Sequence, residues 1–139
     1  MTSRKAGGGF ILRFETGDKL VASLAEFCRE KKIAAAEFTG IGSCRRAELG
    51  FFDPKTKAYA FKAFRGPREI AALAGNISLM DGRPFVHAHA VLGGRDFRAV
   101  AGHLREAEIL AAGEVVLTVF PGRIERTRDE RSGTYQLKI

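Results

Sequence analysis

Hydrophobic and polar positions alternate with a period of two along most of the chain, and one segment breaks that rhythm. From Asp18 to Lys32 the apolar residues Leu20, Val21, Leu24, Phe27 and Cys28 recur at helical spacing, opposite Lys19, Glu26, Arg29 and Glu30. This predicts an amphipathic helix with Asp18 as its N-cap. Before it, Phe10 to Phe14 reads as a strand and Thr16-Gly17-Asp18 as a turn. After it, Ile33 to Phe38 predicts a strand that runs into Thr39-Gly40-Ile41-Gly42-Ser43, with extended structure again from Ala47 to Phe52. The glycine-rich piece lacks both G-x-G-x-x-G spacing and the Walker lysine, so it reads as a bulge or bend between strands.

Asp53-Pro54-Lys55-Thr56-Lys57 has the composition of a hairpin turn, and Ala58 to Phe64 alternates as a strand. Glu69 to Leu79 fits either period; its Gly75-Asn76 pair and the Ile77-Ser78-Leu79 alternation favour extended structure. Asp81-Gly82-Arg83-Pro84 is a turn feeding a strand at Val86 to Val91. Gly93-Gly94 is a further turn, and Phe97 to Ala101 predicts a returning strand. Arg105 to Ala111 reads as a short helical or irregular connection. Glu114 to Phe120 is a buried strand, Arg123 to Gly133 a charged loop or edge, and Tyr135 to Ile139 a last strand. Met1 to Gly9 is expected as a mobile polar arm, leaving 10–139 as a single domain. Many strands and one good helix imply an α+β fold with a mainly antiparallel sheet.

Length and composition narrow the class. A chain of 139 residues buries a core without staples. No apolar run approaches the roughly 18 residues of a membrane span, and no charged n-region leads into an apolar h-region, so a cytoplasmic protein without membrane contact is expected. Cys28 and Cys44 are the only cysteines and lack C-x-x-C spacing. Cys28 falls on the apolar helix face. Cys44 is a small buried residue, a fourth metal ligand or a reactive thiol, the first being the expectation. The net charge of +7, from 23 Lys plus Arg against 16 Asp plus Glu, suits phosphate or another anionic partner, but the basic residues are spread along the chain.

Candidate chemistry concentrates in Pro84 to Leu104, which holds all three histidines, His87, His89 and His103. On a strand, residues i and i+2 leave the same face about 7 Å apart, so His87 and His89 point together. A hairpin through Gly93-Gly94 brings a returning strand back, and Gly102 lets the backbone carry His103 close. Three neutral imidazoles form a tripod suited to zinc or another divalent transition metal, with a position left for water or substrate. Ordinary strand histidines capped by carbonyls would show the same spacing. An enzyme built on the tripod needs a carboxylate for proton transfer, for which Glu37, Glu108 and Glu114 are candidates. Arg68 or Arg98 is a candidate for holding an anionic substrate.

Taken in order, several pieces resemble the plant and prokaryote conserved (PPC) family, a domain of unknown function, across nearly the whole chain. They are the strand-turn-helix opening, Gly40-Ile41-Gly42-Ser43, Glu69-Ile70 with Gly75-Asn76-Ile77-Ser78, Asp81-Gly82-Arg83-Pro84-Phe85-Val86-His87-Ala88-His89, and Gly102-His103-Leu104 followed by Glu108 and Glu114-Val115. The resemblance implies a bent, mainly antiparallel sheet with one main helix, assembled as a homotrimer, with metal-binding histidines as in the prokaryotic branch. Plant members carry AT-hooks and bind DNA in the nucleus, and bacterial relatives are named for DNA binding accordingly. This chain carries no AT-hook arm, and it reads Gly66-Pro67-Arg68-Glu69-Ile70-Ala71 where the plant domain reads Gly-Arg-Phe-Glu-Ile-Leu. The histidine hairpin is also similar to the zinc site of acetolactate decarboxylase, whose fold is related.

Two function classes therefore stand at this point. One is a DNA-binding homotrimer making non-specific phosphate contacts; the chain shows no helix-turn-helix, zinc-finger spacing or basic helix to read sequence. The other is a metal-dependent enzyme, a lyase or hydrolase acting on a small anionic molecule. A structural or sensing metal at a subunit interface is a third use of the same ligands.

Overall fold

A computed structural model describes residues 1–139. The elements are β1 (Thr2–Ala6), β2 (Gly9–Glu15), α1 (Leu20–Glu30), β3 (Ala36–Asp53), β4 (Ala58–Met80), β5 (Arg83–Gly93), β6 (Ala99–Val119), β7 (Glu125–Arg128) and β8 (Tyr135–Lys138). The class is α+β, with one helix against a mostly antiparallel sheet. The sheet order is β1-β2-β6-β3-β4-β7-β8, and β5 pairs with both β4 and β6. β5 thereby closes a circuit of β6, β3, β4 and β5, so the sheet curls around its own core.

The long strands supply that curvature. β3 carries register shifts at Gly40/Gly42 and Cys44/Arg46, where the glycine-rich segment was expected to bulge. Gly40 to Gly42 faces one half of β6 and Cys44 to Gly50 the other, which lets one strand pair β6 along two differently aimed stretches. The expected connection at Arg105 to Ala111 is instead the middle of β6. Its Glu, Ala and Leu residues favour helix intrinsically, but pairing with β3 from Cys44 to Gly50 and burial of Ala107 and Ile109 outweigh that preference.

Two further expectations change at the N-terminal end. The residues expected as a mobile arm form β1, paired in register with β2 from Thr2↔Arg13 to Ala6↔Gly9. Asp18 does not cap the helix: its Oδ2 accepts from the Glu15 N–H at 2.8 Å and pairs with the Met1 ammonium at 2.9 Å. The first helical N–H groups of Val21 and Ala22 donate instead to Glu106 on β6, at 2.8 and 3.2 Å. A carboxylate there satisfies donors that the helix cannot pair internally.

The core lies inside the curl. α1 contributes Leu20, Leu24, Phe27 and Cys28, packed with Leu12, Phe14, Phe38, Ile70, Ile77, Leu92, Leu104, Ile109, Val115 and Leu117. On β5 the inward residues are Val86, Ala88, Ala90 and Leu92, which leaves His87 and His89 on the outer face. Asp81 and Gly82 occupy the two-residue turn before β5 with φ of 52° and 74°, as a type I′ hairpin requires. Gly75 fixes how closely β5 approaches: a Cβ there would lie 2.2 Å from the His87 carbonyl oxygen and 2.4 Å from the Phe38 ring. Gly75→Ala is therefore expected to destabilise the fold by about 1–3 kcal/mol through overpacking, read as a lower urea midpoint at unchanged m-value.

Candidate metal centre

Neighbouring strands place the three histidines in one triangular cluster. His89 is the register partner of His103 across β5 and β6, and His87 lies two residues along β5 on the same face. Gly102 serves close approach here: a Cβ on it would meet the Gly50 carbonyl oxygen at 2.8 Å, so its bare α-carbon lets β6 lie against β3 beside His103. The ring centroids stand 5.4 Å apart for His87 and His89, 5.3 Å for His87 and His103, and 5.6 Å for His89 and His103. One nitrogen from each ring lies within 4.8 Å of the other two. His87 and His103 are half-buried and His89 is exposed.

Burial is the largest influence on His87 and His103. It pushes the His87 imidazole down to about 4, with the positive charges of Arg126 and the neighbouring histidines adding to the effect. His103 is lowered for the same first reason, then by His89 and Arg126. Both rings therefore present neutral nitrogens near pH 7, which is the ligating form. The buried Nδ1 of His103 has no hydrogen-bond partner within the chain. A buried nitrogen left without a partner, beside the neutral His87 ring and the exposed His89 ring, fits a group that binds a metal ion.

The remaining candidates lie elsewhere. The carboxylate of Glu108 is paired with Arg45 and lines a polar hollow with Lys19, Arg46, Glu48 and Glu106. Glu114 is exposed, opposite Arg13 and Ile41 in the sheet. Glu37 shares a register row with Asn76 and His87, two strands from the histidine. None of the three joins the cluster of ligand atoms. Arg68 stacks on Phe64, 5.2 Å from the ring centre, and Arg98 is exposed beside Asp96 at the β5–β6 hairpin tip.

Sequence reasoning missed the residues that surround the imidazoles. The start of β4 brings Tyr59 to 4.9 Å and Phe61 to 6.5 Å from the His103 ring, centroid to centroid. β7 delivers Arg126, whose Nε donates to Ser78 Oγ at 2.8 Å, Nη2 to Asn76 Oδ1 at 2.7 Å and Nη1 to the Tyr135 carbonyl at 2.9 Å. A cavity of about 240 Å³ lies between them, lined among others by Phe52, Tyr59, Phe85, His87, His103 and Arg126. The aromatic residues at the start of β4 read only as an alternating strand, and Arg126 sits in a stretch whose charge gave no periodic signal.

Cys44 is fully buried and no part of the site; burial raises its thiol, and the same cause pushes Cys28 up to about 12. Neither thiol is expected to react with an aromatic disulfide reagent in the folded protein, and both should react once it is unfolded, as titrated by absorbance.

Residues 1–121 match the Plants and Prokaryotes Conserved (PCC) domain. No curated protein matches the sequence. A protein from Bacteroides thetaiotaomicron, named for presumed DNA binding, superposes with a TM-score of 0.95 at 38% identity, covering 99% of this chain and 96% of that one. A metal-containing protein from Archaeoglobus fulgidus superposes with a TM-score of 0.88 at 38% identity, over 97% of this chain and 96% of that one. A Staphylococcus aureus protein of unknown function, similar to alpha-acetolactate decarboxylase, shares the fold more distantly, with a TM-score of 0.57 at 12% identity over 90% of this chain and 56% of that one. With a family match over most of its length and a closed sheet common to these relatives, the chain belongs to the Plants and Prokaryotes Conserved domain family.

Proposed function

We infer that this protein is a divalent-metal protein whose ligands are His87, His89 and His103, with zinc as the first candidate ion, and that it acts on a small anionic molecule as a lyase or hydrolase. The observation that carries this reading is the convergence of three ring nitrogens within 4.8 Å, two of them on half-buried neutral imidazoles. Three imidazoles suit zinc or another first-row ion, and they leave coordination positions open. Such an ion supplies Lewis acidity to a bound substrate. The chain's own part is to hold neutral donors in place, to cover His103 with Tyr59 and Phe61, and to keep the positive charge of Arg126 beside His87. A relative from Archaeoglobus fulgidus is metal-containing, which supports the ligand assignment.

We further infer that the protein is a homotrimer, as the family resemblance implies, assembled through the outer sheet face. Register pairs run from Ile11 to Val116, Thr39, Ala74 and His89, so the exposed apolar residues Ile11 and Val116 share a face with the exposed histidine. Ile41, 58% exposed, extends that patch. An apolar stripe continuous with the histidines is suited to burial between copies.

DNA binding through non-specific phosphate contacts is a second reading, favoured by a cleft of about 490 Å³ framed by Lys5, Lys31 and Lys32 with Gly7 and Gly8. It also rests on the net charge of +7 and on the name of the Bacteroides relative. No helix of the structure is long and apolar enough to cross a membrane.

Protein purified without a histidine tag is expected to carry close to one divalent ion per chain by elemental mass spectrometry. His87→Ala with His89→Ala should remove it, and full metal content in that double variant overturns the ligand assignment. Retention of a mixed-sequence DNA duplex should fall steeply as salt rises and weaken further on replacement of Lys31 and Lys32 by Glu. Binding that ignores both salt and the lysines overturns the phosphate reading.

A further inference from the structure

A charged group with no charged partner stands beside the histidines. Arg126 is half-buried, and no acidic side chain pairs with it, whereas its neighbour Arg123 pairs with Glu125. Its hydrogen-bond partners are all neutral: the Ser78 hydroxyl, the Asn76 amide oxygen and the Tyr135 carbonyl. A guanidinium keeps its charge at any ordinary pH, and partly withdrawing that charge from water without an anion to pair it carries a cost. Ser78 is itself fully buried, so the anchoring of Arg126 is built into the sheet rather than made by a passing surface contact.

Geometry narrows what the charge is for. Three of the five N–H bonds of the guanidinium are used, which leaves one on each terminal nitrogen. One free N–H on each terminal nitrogen, held in the plane that the three hydrogen bonds fix, suits an anion with more than one oxygen, such as a carboxylate. The cavity that Arg126 lines is small, about 240 Å³, and is walled by Phe52, Tyr59, Phe85 and Tyr135 together with His87 and His103. Phe85 also places its ring face 5.1 Å from the guanidinium carbon, ring centre to carbon. Aromatic walls on this scale suit a flat apolar body, and a single fixed arginine suits one carboxylate.

We propose that Arg126 and the aromatic residues around it form a binding site for a small carboxylic acid with a flat, unsaturated or aromatic body, seated beside the three histidines. This names the substrate class of the metal centre and so rests on the metal reading for its chemistry, though not for the binding itself. Arg126 and Tyr135 lie beyond residues 1–121 that match the family, on a hairpin formed by β7 and β8. The C-terminal hairpin thus sets ligand choice while the β5–β6 hairpin carries the metal ligands.

Benzoate serves as the probe, measured by isothermal titration calorimetry against the full chain, both metal-stripped and zinc-loaded. Saturable binding to the stripped protein is expected, and zinc should tighten it. Arg126→Lys, which keeps the charge and loses the fork, should weaken binding by about tenfold, and Arg126→Gln by more. His89→Ala, which removes a proposed ligand that does not line the cavity, should lose the zinc effect while still binding benzoate. If zinc does not bind, the metal reading fails and the carboxylate site stands; if zinc binds and benzoate affinity ignores it, the metal reading stands and the assignment of this cavity as the metal centre's substrate site is overturned. Unchanged benzoate affinity in Arg126→Lys, an absence of saturable binding, or a preference for phenyl phosphate over benzoate overturns the proposal. Thermal unfolding of each variant identifies a fold defect; should Arg126→Gln not fold, Arg126→Lys decides.

Discussion

The pairing of β6 with two partners at once, β5 on one edge and β3 on the other, is the constraint on which the rest of this structure depends. His103 sits where the three strands meet, with His89 opposite it on β5 and Gly50 opposite it on β3. Closing the sheet there pairs an edge that would otherwise be exposed, buries Leu104, Ala107 and Ile109 inside, and leaves Arg105 exposed. The same closure gives α1 its seat, because Glu106 on β6 accepts from the first N–H groups of the helix. Small residues allow it: bare α-carbons at Gly75 and Gly102 let strands approach where any side chain would strike a carbonyl.

Closure of the sheet produces the electrostatics of the site. Backbone pairing presses three imidazoles together on a partly buried face, where burial disfavours the charged forms of His87 and His103 and the positive charge of Arg126 adds to that. The outcome is a set of neutral donors beside a permanently charged arginine that has only neutral partners. These are complementary requirements, since a cationic ion shared by neutral ligands and an unpaired guanidinium both call for an anion between them. The aromatic side chains of the β3–β4 and β7–β8 hairpins lower the local polarity and strengthen that demand.

Family membership and site chemistry bear differently on function. A relative named for DNA binding shares the whole fold at 38% identity, and the basic cleft at Lys5, Lys31 and Lys32 offers a phosphate surface lined by none of the histidines. Nothing in the fold offers a groove-reading helix: α1 turns Leu20, Leu24, Phe27 and Cys28 into the core. Metal chemistry and phosphate contact use separate surfaces, so the two readings do not compete for the same residues.

Much of this was legible in the order of residues. The period-two runs, the Asp81-Gly82 turn, the amphipathic face of α1 and the shared direction of His87 and His89 all follow from contacts within a few positions, where pleat and turn geometry leave little choice. The spacing also indicated that His103 would return to them, because one hairpin joins the strands. Other features were decided only in three dimensions. Arg105 to Ala111 has helical propensity and became strand because β3 pairs it; Asp18 looked like a cap and was replaced by Glu106, 85 residues from Val21 in the chain. Arg126 and Tyr59 reach the histidines from strands that are distant in sequence, and no local pattern marks them. Periodicity records which way a side chain faces, whereas the partners on that face are set by strand pairing across tens of residues, which the energy of the whole sheet determines.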